Sequence, residues 1–514
     1  MRRPDIPRRR ELGPVSRQRI GLVLGPILFG GVVALAPFSI PPAATGALAS
    51  TLWIATWWVT EAIPIPATSL LPIVLFPVTG VLDVPAATAP YADPIVFLLL
   101  GGFLLALAVE RWGLHRRIAL EIVSIVGTRP RRVVLGFMLA TAFLSMWISN
   151  SATAMLMVPI GTAVVVAVGE SRPDKQAAKR GKPLGSDLLE GLGTGPADRP
   201  AGTVGLTLLL AIAYSASIGG AATLIGSPPN AVFAGVAASQ LGLQITFLDW
   251  LVFAGPLSVV FLLLTWQLLI RLLQPSLPDE AAFEAVLDRQ REDLGRISKG
   301  EKRVLAVFVL VAAGWLLRPF VLQPLFPAIT DPLIAIVGGL LLFVVPVDAD
   351  DRTALLDWTD ATALPWGVLL LLGAGFSLAE GFRTSGLDQA VAAGLTGLVD
   401  YPSVIVLAAL AIVVVLLTEV TSNTATASVF MPIVLSLGIS LGTPPVTLMA
   451  TTALAASMAF MLPVATPPNA IVFGSGYVTI PQMARVGVWL NVVAVFLTVG
   501  VVYLWLPVAF SIVG

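Results

Sequence analysis

The chain has 514 residues, 57% of them hydrophobic and 12% charged, with formal net charge zero, no cysteine and one histidine. A soluble protein of this length carries about twice that charge, and the apolar residues come in long blocks, so the expected class is an all-α polytopic membrane protein. The charge balance gives no reason to expect a nucleic-acid partner, disulfides and thiolate metal sites are excluded, and a lone His115 sets zinc or haem ligation aside.

In chain order, the basic start "MRRPDIPRRRELGPVSRQR" is expected to be a retained cytoplasmic tail over residues 1–19, because the apolar run behind it is too long for a signal-peptide core. A first transmembrane helix occupies 20–45, with its apolar block at 20–38. Further spans are expected near 46–62, 67–82, 95–112, 205–234, 250–273, 303–321, 330–346, 364–382, 446–475 and 488–511, about eleven in all. Two other segments, 131–168 and 402–440, are long enough to enter the membrane and return, and are read as re-entrant hairpins.

Each hairpin holds a small polar triplet in apolar surroundings. "SNSATAMLMVPIG" runs from Ser149 to Gly161, and "SNTATASVFMPIV" from Ser422 to Val434, with Pro159 and Pro432 in register. Each is followed by a second repeated motif, "GSPPNAVF" (226–233) and "ATPPNAIVF" (465–473). Ser422 to Thr466 is 44 residues and Ser149 to Ser227 is 78; the excess matches the polar loop 170–203, an insertion expected to be flexible. The chain thus divides into a first repeat over 46–274 (inner hairpin 131–168, broken helix 205–234), a cytoplasmic linker over 275–302, and a second repeat over 303–514 (outer hairpin 402–440, broken helix 446–475). Five spanning segments per half place the second repeat upside down, and inverted repeats with matched helix breaks mark secondary transporters.

Basic residues cluster after the fourth span (Arg111, Arg116, Arg117, Arg129, Arg131, Arg132), in the 170–203 loop, and before the seventh span (Arg289, Arg291, Arg296, Lys299, Lys302, Arg303). With the N-terminus cytoplasmic all three groups lie inside, as the positive-inside bias requires, and the C-terminus lies outside. The acidic stretch "VDADDRTALLDWTDA" (347–361) runs against this pattern.

"SPPN" and "TPPN" must interrupt their helices, because each Pro removes a donor and clashes with the preceding turn. Broken backbone at membrane depth is tolerated only against protein or a wet cavity. It supplies helix N-termini that suit an anion and loose carbonyls that suit a small cation. No Lys or Arg falls in the four motifs. A multiply charged anion would therefore need counter-charge from bound cations, and Na⁺ is the natural source. An Asn amide can face a cation with its carbonyl and a carboxylate with its NH₂.

These segments resemble the divalent anion:sodium symporter family, carriers of di- and tricarboxylates and sulfate. "WWVTEAIPIPATSLLPIVLFP" (57–77), "GGFLLALAVERWGLHRRIAL" (101–120), "ISNSATAMLMVPI" (148–160), "GSPPN" (226–230), "LTEVTSNTATASVFMPI" (417–433) and "MLPVATPPNAIVFGSGY" (461–477) stand in the family's order. The resemblance implies a homodimer in the cell membrane working by an elevator mechanism, with two or more Na⁺ co-transported. It implies one sodium site at Ser145, Ser149, Asn150 and Gly226, with Gly219 the alternative to Gly226. A second is implied at Thr418, Thr421, Asn423 and Ala465, with the anion between them on Asn150, Ser151, Asn423, Thr424 and Pro467. The first triplet is SNS where the family's dicarboxylate pattern is SNT, so Ser151 keeps the hydroxyl and lacks a methyl beside the cargo.

The function expected is Na⁺-coupled uptake of a divalent organic anion such as a C4-dicarboxylate. The alternatives are citrate or sulfate symport, or Na⁺-independent dicarboxylate exchange on the same fold. A channel fits poorly with two halves meeting at a closed midplane site. An intramembrane enzyme fits worse, since no base faces a nucleophile. Outside the motifs, Glu61 and Glu419 are expected to fix helix ends, His115 to be structural, and Trp57 and Trp58 to anchor at an interface.

Overall fold

The computed structural model describes residues 17–35, 40–127, 129–170, 202–275, 280–348, 353–394, 397 and 400–513. The expected tail up to residue 16 and the loop over 171–201 lie outside the described residues. Among the described residues the fold is all-helical, with one isolated bridge between Pro346 and Ala354. Among the described residues seven helices are long and apolar enough to cross a membrane.

In chain order the main helices are α1 (Arg17–Leu35), α2 (Pro42–Thr60), α3 (Leu71–Thr79), α4 (Pro94–Arg111), α5 (Leu114–Val126), α6 (Pro130–Ser145) and α7 (Asn150–Glu170). Then come α8 (Gly202–Gly220), α9 (Pro228–Leu241), α10 (Phe247–Leu273), α11 (Glu280–Leu294), α12 (Lys299–Leu317), α13 (Asp331–Val344), α14 (Trp366–Ser385) and α15 (Leu387–Gly394). The chain closes with α16 (Ser403–Thr418), α17 (Asn423–Ser440), α18 (Pro445–Ala456), α19 (Pro467–Gly474), α20 (Ile480–Leu504) and α21 (Leu506–Val513). Each expected span contains a helix. The 20–45 segment ends its helix at Leu35, and α2 starts at Pro42, ahead of the expected 46.

Both hairpins turn at their triplets: α6 and α7 meet through Met146–Ser149, and α16 and α17 through Glu419–Ser422. Both PPN motifs break a helix. Pro228 and Pro467 each take the first position of the new helix, where a missing N–H costs nothing. The packing around the breaks is crosswise. α8 lies against α6 and α7 of the first hairpin, and α18 against α16 and α17 of the second. Past each break the partners exchange: α9 packs on α17, and α19 on α7.

Further helix pairs pack around these, α4 against α13, α12 against α13, and α14 against both α17 and α2. The α4–α13 crossing is close enough that a Cβ on Gly101 would lie 2.4 Å from the backbone of Ala335. The first hairpin turn inserts Trp147 against α10 and α12, where it stacks on Phe247 (centroids 5.7 Å apart) and meets Phe308 edge-on at 4.9 Å. Trp315 stacks on Phe247 in turn at 4.7 Å.

Three residues resolve against their sequence readings. Trp58 is fully buried with its indole N–H on Ser69 Oγ, so it is core rather than an interfacial anchor. Trp57 donates to Gly21 O and ties α1 to α2. Glu61 is exposed at the left-handed C-terminal end of α2, with φ 49°. The acidic stretch finds its counter-charges in the basic segments. Arg111 pairs with Asp357 and Asp360, and Lys299 with Asp348 at 2.5 Å. The Thr359 hydroxyl, and then Arg111, hold the Asp357 carboxyl below the usual carboxylate range. An acidic segment neutralised in this way can share a face with Arg and Lys.

Candidate cation and anion site

The site is built from helix ends. α6 ends at Ser145 and α7 begins at Asn150; α16 ends at Thr418 and α17 begins at Asn423. Ser145 Oγ lies 2.5 Å from Asn150 Oδ1 and 2.7 Å from Ala216 O. Thr418 Oγ1 lies 2.7 Å from Asn423 Oδ1 and 2.8 Å from Ala456 O. In both halves a hydroxyl at the end of one hairpin arm bridges the amide that opens the next arm to a carbonyl of the interrupted helix.

A hydroxyl carries one proton. Thr418 Oγ1 faces two acceptor oxygens with its one proton, whereas in the first cluster the Asn150 amide can supply the second donor. In the first cluster Gly226 O adds a further acceptor beside the Asn150 amide. With that amide turned, Nδ2 reaches Ala216 O at 3.1 Å, Ser145 Oγ at 2.5 Å and Gly226 O at 3.3 Å. The cluster therefore accepts either an N–H₂ group or a cation at its centre. Neutral oxygens are its whole ligand set; among the described residues no group of three or more His, Cys, Asp or Glu is placed to hold a metal.

Glycines wall this cluster. A Cβ on Gly220 would lie 2.3 Å from Asn150 Oδ1 and 2.8 Å from Gly226 O. One on Gly226 would lie 2.5 Å from Gly220 O and 2.9 Å from Ser145 O. Gly219 does something else: its Cα faces the Ala142 backbone on α6, a helix-packing contact.

The remaining expected residues fall in different places. Ser149 Oγ caps α7 by accepting Ala152 N at 3.2 Å. Thr421 Oγ1 turns back to Leu417 O at 2.8 Å and shares a bond with Thr426 Oγ1 at 2.6 Å, away from Asn423. Ala465 sits in the second break, its N–H on Leu462 O at 3.2 Å. Ser151 is half-buried in the first turn of α7, and Thr424 is buried in that of α17. Pro467, the first residue of α19, is exposed.

Four helices thus begin around one locus: α7, α9, α17 and α19. Their N-terminal N–H groups, only partly capped, and their partial positive charge favour an anion. The breaks touch each other, since Ser227 Oγ and Ser457 Oγ lie 2.9 Å apart. Exposure is one-sided. On the α9 and α17 side Pro229–Ala237 and Thr424–Ser428 are buried. On the α7 and α19 side Met155 is 57% exposed, Val464 74% and Phe473 39%. A cavity of about 330 Å³ opens there, lined by Leu462, Pro463, Val464, Ala470, Phe473 and Ile480.

The structure supplies partners for two further sets of residues, Glu419, expected to fix a helix end, and the asparagines of the PPN motifs. Glu419 is buried, and its carboxylate accepts Phe460 N (2.7 Å), Met461 N (2.9 Å), Leu462 N (3.0 Å) and Asn491 Nδ2 (2.7 Å). It fixes unwound backbone rather than a helix end of its own. Asn230 and Asn469 each donate to carbonyls of their own break, and their repetition in the two PPN motifs was the available signal.

Residues 18–512 match the family model described as the sodium:sulfate symporter transmembrane region. The sodium-dependent dicarboxylate transporter SdcS of Staphylococcus saprophyticus is 40% identical over 496 residues, which covers 95% of this chain and 92% of the relative. SdcS of Staphylococcus aureus strain USA300 is 40% identical over 500 residues, with 96% and 92% covered. Among solved structures, the Alcanivorax borkumensis YdaH transporter shares the fold, with a TM-score of 0.51 at 13% identity over 82% of this chain and 87% of that one. The chain belongs to the sodium:sulfate symporter family, the divalent anion:sodium symporters, and is a multi-pass membrane transporter rather than an enzyme.

Proposed function

We propose that this protein couples Na⁺ to the uptake of a divalent organic anion such as a C4-dicarboxylate. One observation carries the coupling: each of the two clusters gathers a hairpin hydroxyl, an Asn side-chain amide and a carbonyl of the interrupted helix, all neutral, at one point. A small hard cation takes such neutral oxygens as ligands. The bound cations then supply the counter-charge that the motifs lack in Lys and Arg, so Na⁺ binds first and the anion second. The anion sits between them on Asn150, Ser151, Asn423, Thr424 and Pro467, at the four helix N-termini. The names of the SdcS relatives support both sodium and dicarboxylate.

The transporter lies in the cell membrane with its N-terminus cytoplasmic and C-terminus outside, and its two halves are inverted. In that orientation the exposed α7 and α19 side faces the cytoplasm, and the arrangement is inward-open. The body carrying both hairpins moves as an elevator against the body of α2, α4, α12, α13 and α14. The assembly is a homodimer embedded in lipid. Uptake of labelled succinate, citrate and sulfate into proteoliposomes, with Na⁺ or choline outside, tests the reading. The expected result is succinate uptake that requires Na⁺ and rises more steeply than linearly with it. Preference for citrate or sulfate overturns the cargo; full activity in choline overturns the coupling and favours exchange.

A further inference from the structure

We infer that Asn230 and Asn469 are positioning residues that set the affinity and selectivity of the two cation clusters, each acting on its own half. This rests on the Na⁺-coupled reading above and deepens it. Both asparagines are fully buried. Asn230 Nδ2 donates to Gly220 O (3.3 Å), Ala221 O (3.3 Å) and Thr223 O (2.7 Å). Asn469 Nδ2 donates to Ala459 O (3.2 Å) and Leu462 O (3.0 Å). The acceptors Gly220 and Thr223 stand ten and seven residues before Asn230, and Ala459 and Leu462 stand ten and seven before Asn469. One device is built twice.

Its purpose follows from the breaks. A helix that stops at membrane depth leaves carbonyls without partners, and each amide NH₂ gathers them from one side. The held carbonyls border the cation clusters. Gly220 stands against Asn150 Oδ1 and Gly226 O. Thr223 Oγ1 donates to Met146 O (2.6 Å) in the hairpin turn and accepts Gly226 N (3.1 Å). In the second half Leu462 O also accepts Ala465 N, and Leu462 N is held by Glu419. Freeing Gly220 O or Leu462 O therefore changes the carbonyl directions beside the ion.

A packing role alone does not account for the residue type. Asn230 Oδ1 and Asn469 Oδ1 are both buried with no hydrogen-bond partner among the described residues. A leucine fills a similar volume without orphaning an oxygen. The fold accepts that penalty at both positions, so the NH₂ donors are what the sites require.

The test uses the full-length protein purified in detergent and in proteoliposomes. Asn230→Leu and Asn469→Leu keep side-chain bulk and remove the donors. In each, the Na⁺ half-saturation of uptake should rise roughly tenfold, as expected for lost hydrogen bonds. The Na⁺-over-Li⁺ ratio should fall, while succinate half-saturation at saturating Na⁺ stays near that of the unmodified protein. The rise in melting temperature that Na⁺ alone induces should shrink, a readout that needs no transport. Asn230→Ser and Asn469→Ser keep one short donor and should give intermediate shifts; they decide the matter if the leucine variants do not fold. Unchanged Na⁺ half-saturation, Na⁺/Li⁺ ratio and Na⁺-induced melting shift in variants of a Na⁺-dependent parent overturn the inference alone. A parent that transports without Na⁺ overturns the functional reading instead.

Discussion

Ser227 and Ser457, 230 residues apart, are hydrogen-bonded to each other at 2.9 Å, and through them the two helix breaks touch. Ser227 holds the N-cap position of α9 without capping it, whereas Thr466, at the matching place before α19, accepts Asn469 N at 3.3 Å. Ser457 Oγ also reaches Ala453 O at 3.4 Å, so it can pass its proton there while accepting from Ser227. The first half has diverted its capping hydroxyl to join the second.

That contact should carry coupling between the cation sites. Ser227→Ala and Ser457→Ala each leave a buried hydroxyl short of a partner, and the double variant does not. A double-mutant cycle on melting temperature should return an interaction of about 0.5–1.5 kcal/mol. The steepness of the Na⁺ dependence should fall in all three variants. An interaction near zero, with unchanged steepness, removes this link between the halves.

Glu419 marks where the halves diverge. It stands four residues before Asn423, while Met146 stands four before Asn150. In the first half α8 continues to Gly220, so Ala221 N and Ala222 N still find Ser217 O (3.2 Å) and Gly219 O (3.0 Å). In the second half α18 stops at Ala456, and the N–H groups of Phe460, Met461 and Leu462 turn to the carboxylate. Gly487 leaves room for this loop, since a Cβ there would lie 2.1 Å from Phe460 O. Glu419→Gln keeps the size but sets an NH₂ against N–H donors. Hydrogen bonds to a charged group contribute roughly 1.5–3 kcal/mol each, so the variant should lose several degrees of melting temperature and weaken Na⁺ activation together. A stable Glu419→Gln protein with unchanged Na⁺ dependence contradicts this.

Arg318 and Asp331 form a buried ion pair at 2.9 Å, and Asp331 Oδ2 also accepts Phe247 N, the first N–H of α10, at 2.7 Å. Removing one partner strands the other: Asp331→Ala should destabilise by about 3–5 kcal/mol. Replacing both with apolar residues of similar size, Arg318→Met with Asp331→Leu, should recover much of that loss, because no buried charge remains. Thermal unfolding in detergent distinguishes the two. Equal losses would mean that the Phe247 contact, rather than the ion pair, dominates.

Much of this site was legible because its signals are local. Proline pairs break helices wherever they stand, and a triplet repeated with its following PPN fixes the order of hairpin and break. What escaped depends on partners distant in sequence. Glu419 meets Phe460–Leu462 and Asn491 from 41 to 72 residues away. The acidic 347–361 stretch looked misplaced because Arg111, its partner, precedes Asp357 by 246 residues. Trp58 has the composition of an interfacial anchor, and only the packing of α2 against α3 and α14 buries it. The hydroxyls of Ser149 and Thr421 also serve local structure, as a cap on α7 and a bond back to Leu417 O.

The triplets themselves give the sharpest test. Asn150 and Asn423 each open a helix and face the Ser145 or Thr418 hydroxyl. Asn150→Ala or Asn423→Ala leaves a cation short of a ligand and an anion oxygen short of a donor. The loss of a hydrogen bond to a charged group, roughly 1.5–3 kcal/mol, is about one to two decades in affinity. Na⁺ and substrate half-saturation should weaken together in either variant, because linkage makes the coupling reciprocal. Ser151→Thr should separate the two. Ser151 follows Asn150 in the first turn of α7 and makes none of the contacts of the Ser145 cluster, so the added methyl should re-rank succinate, citrate and sulfate and leave the Na⁺ dependence nearly intact. Normal Na⁺ and substrate half-saturation in both alanine variants would mean that the triplets only pack the hairpins, and that the ions bind elsewhere.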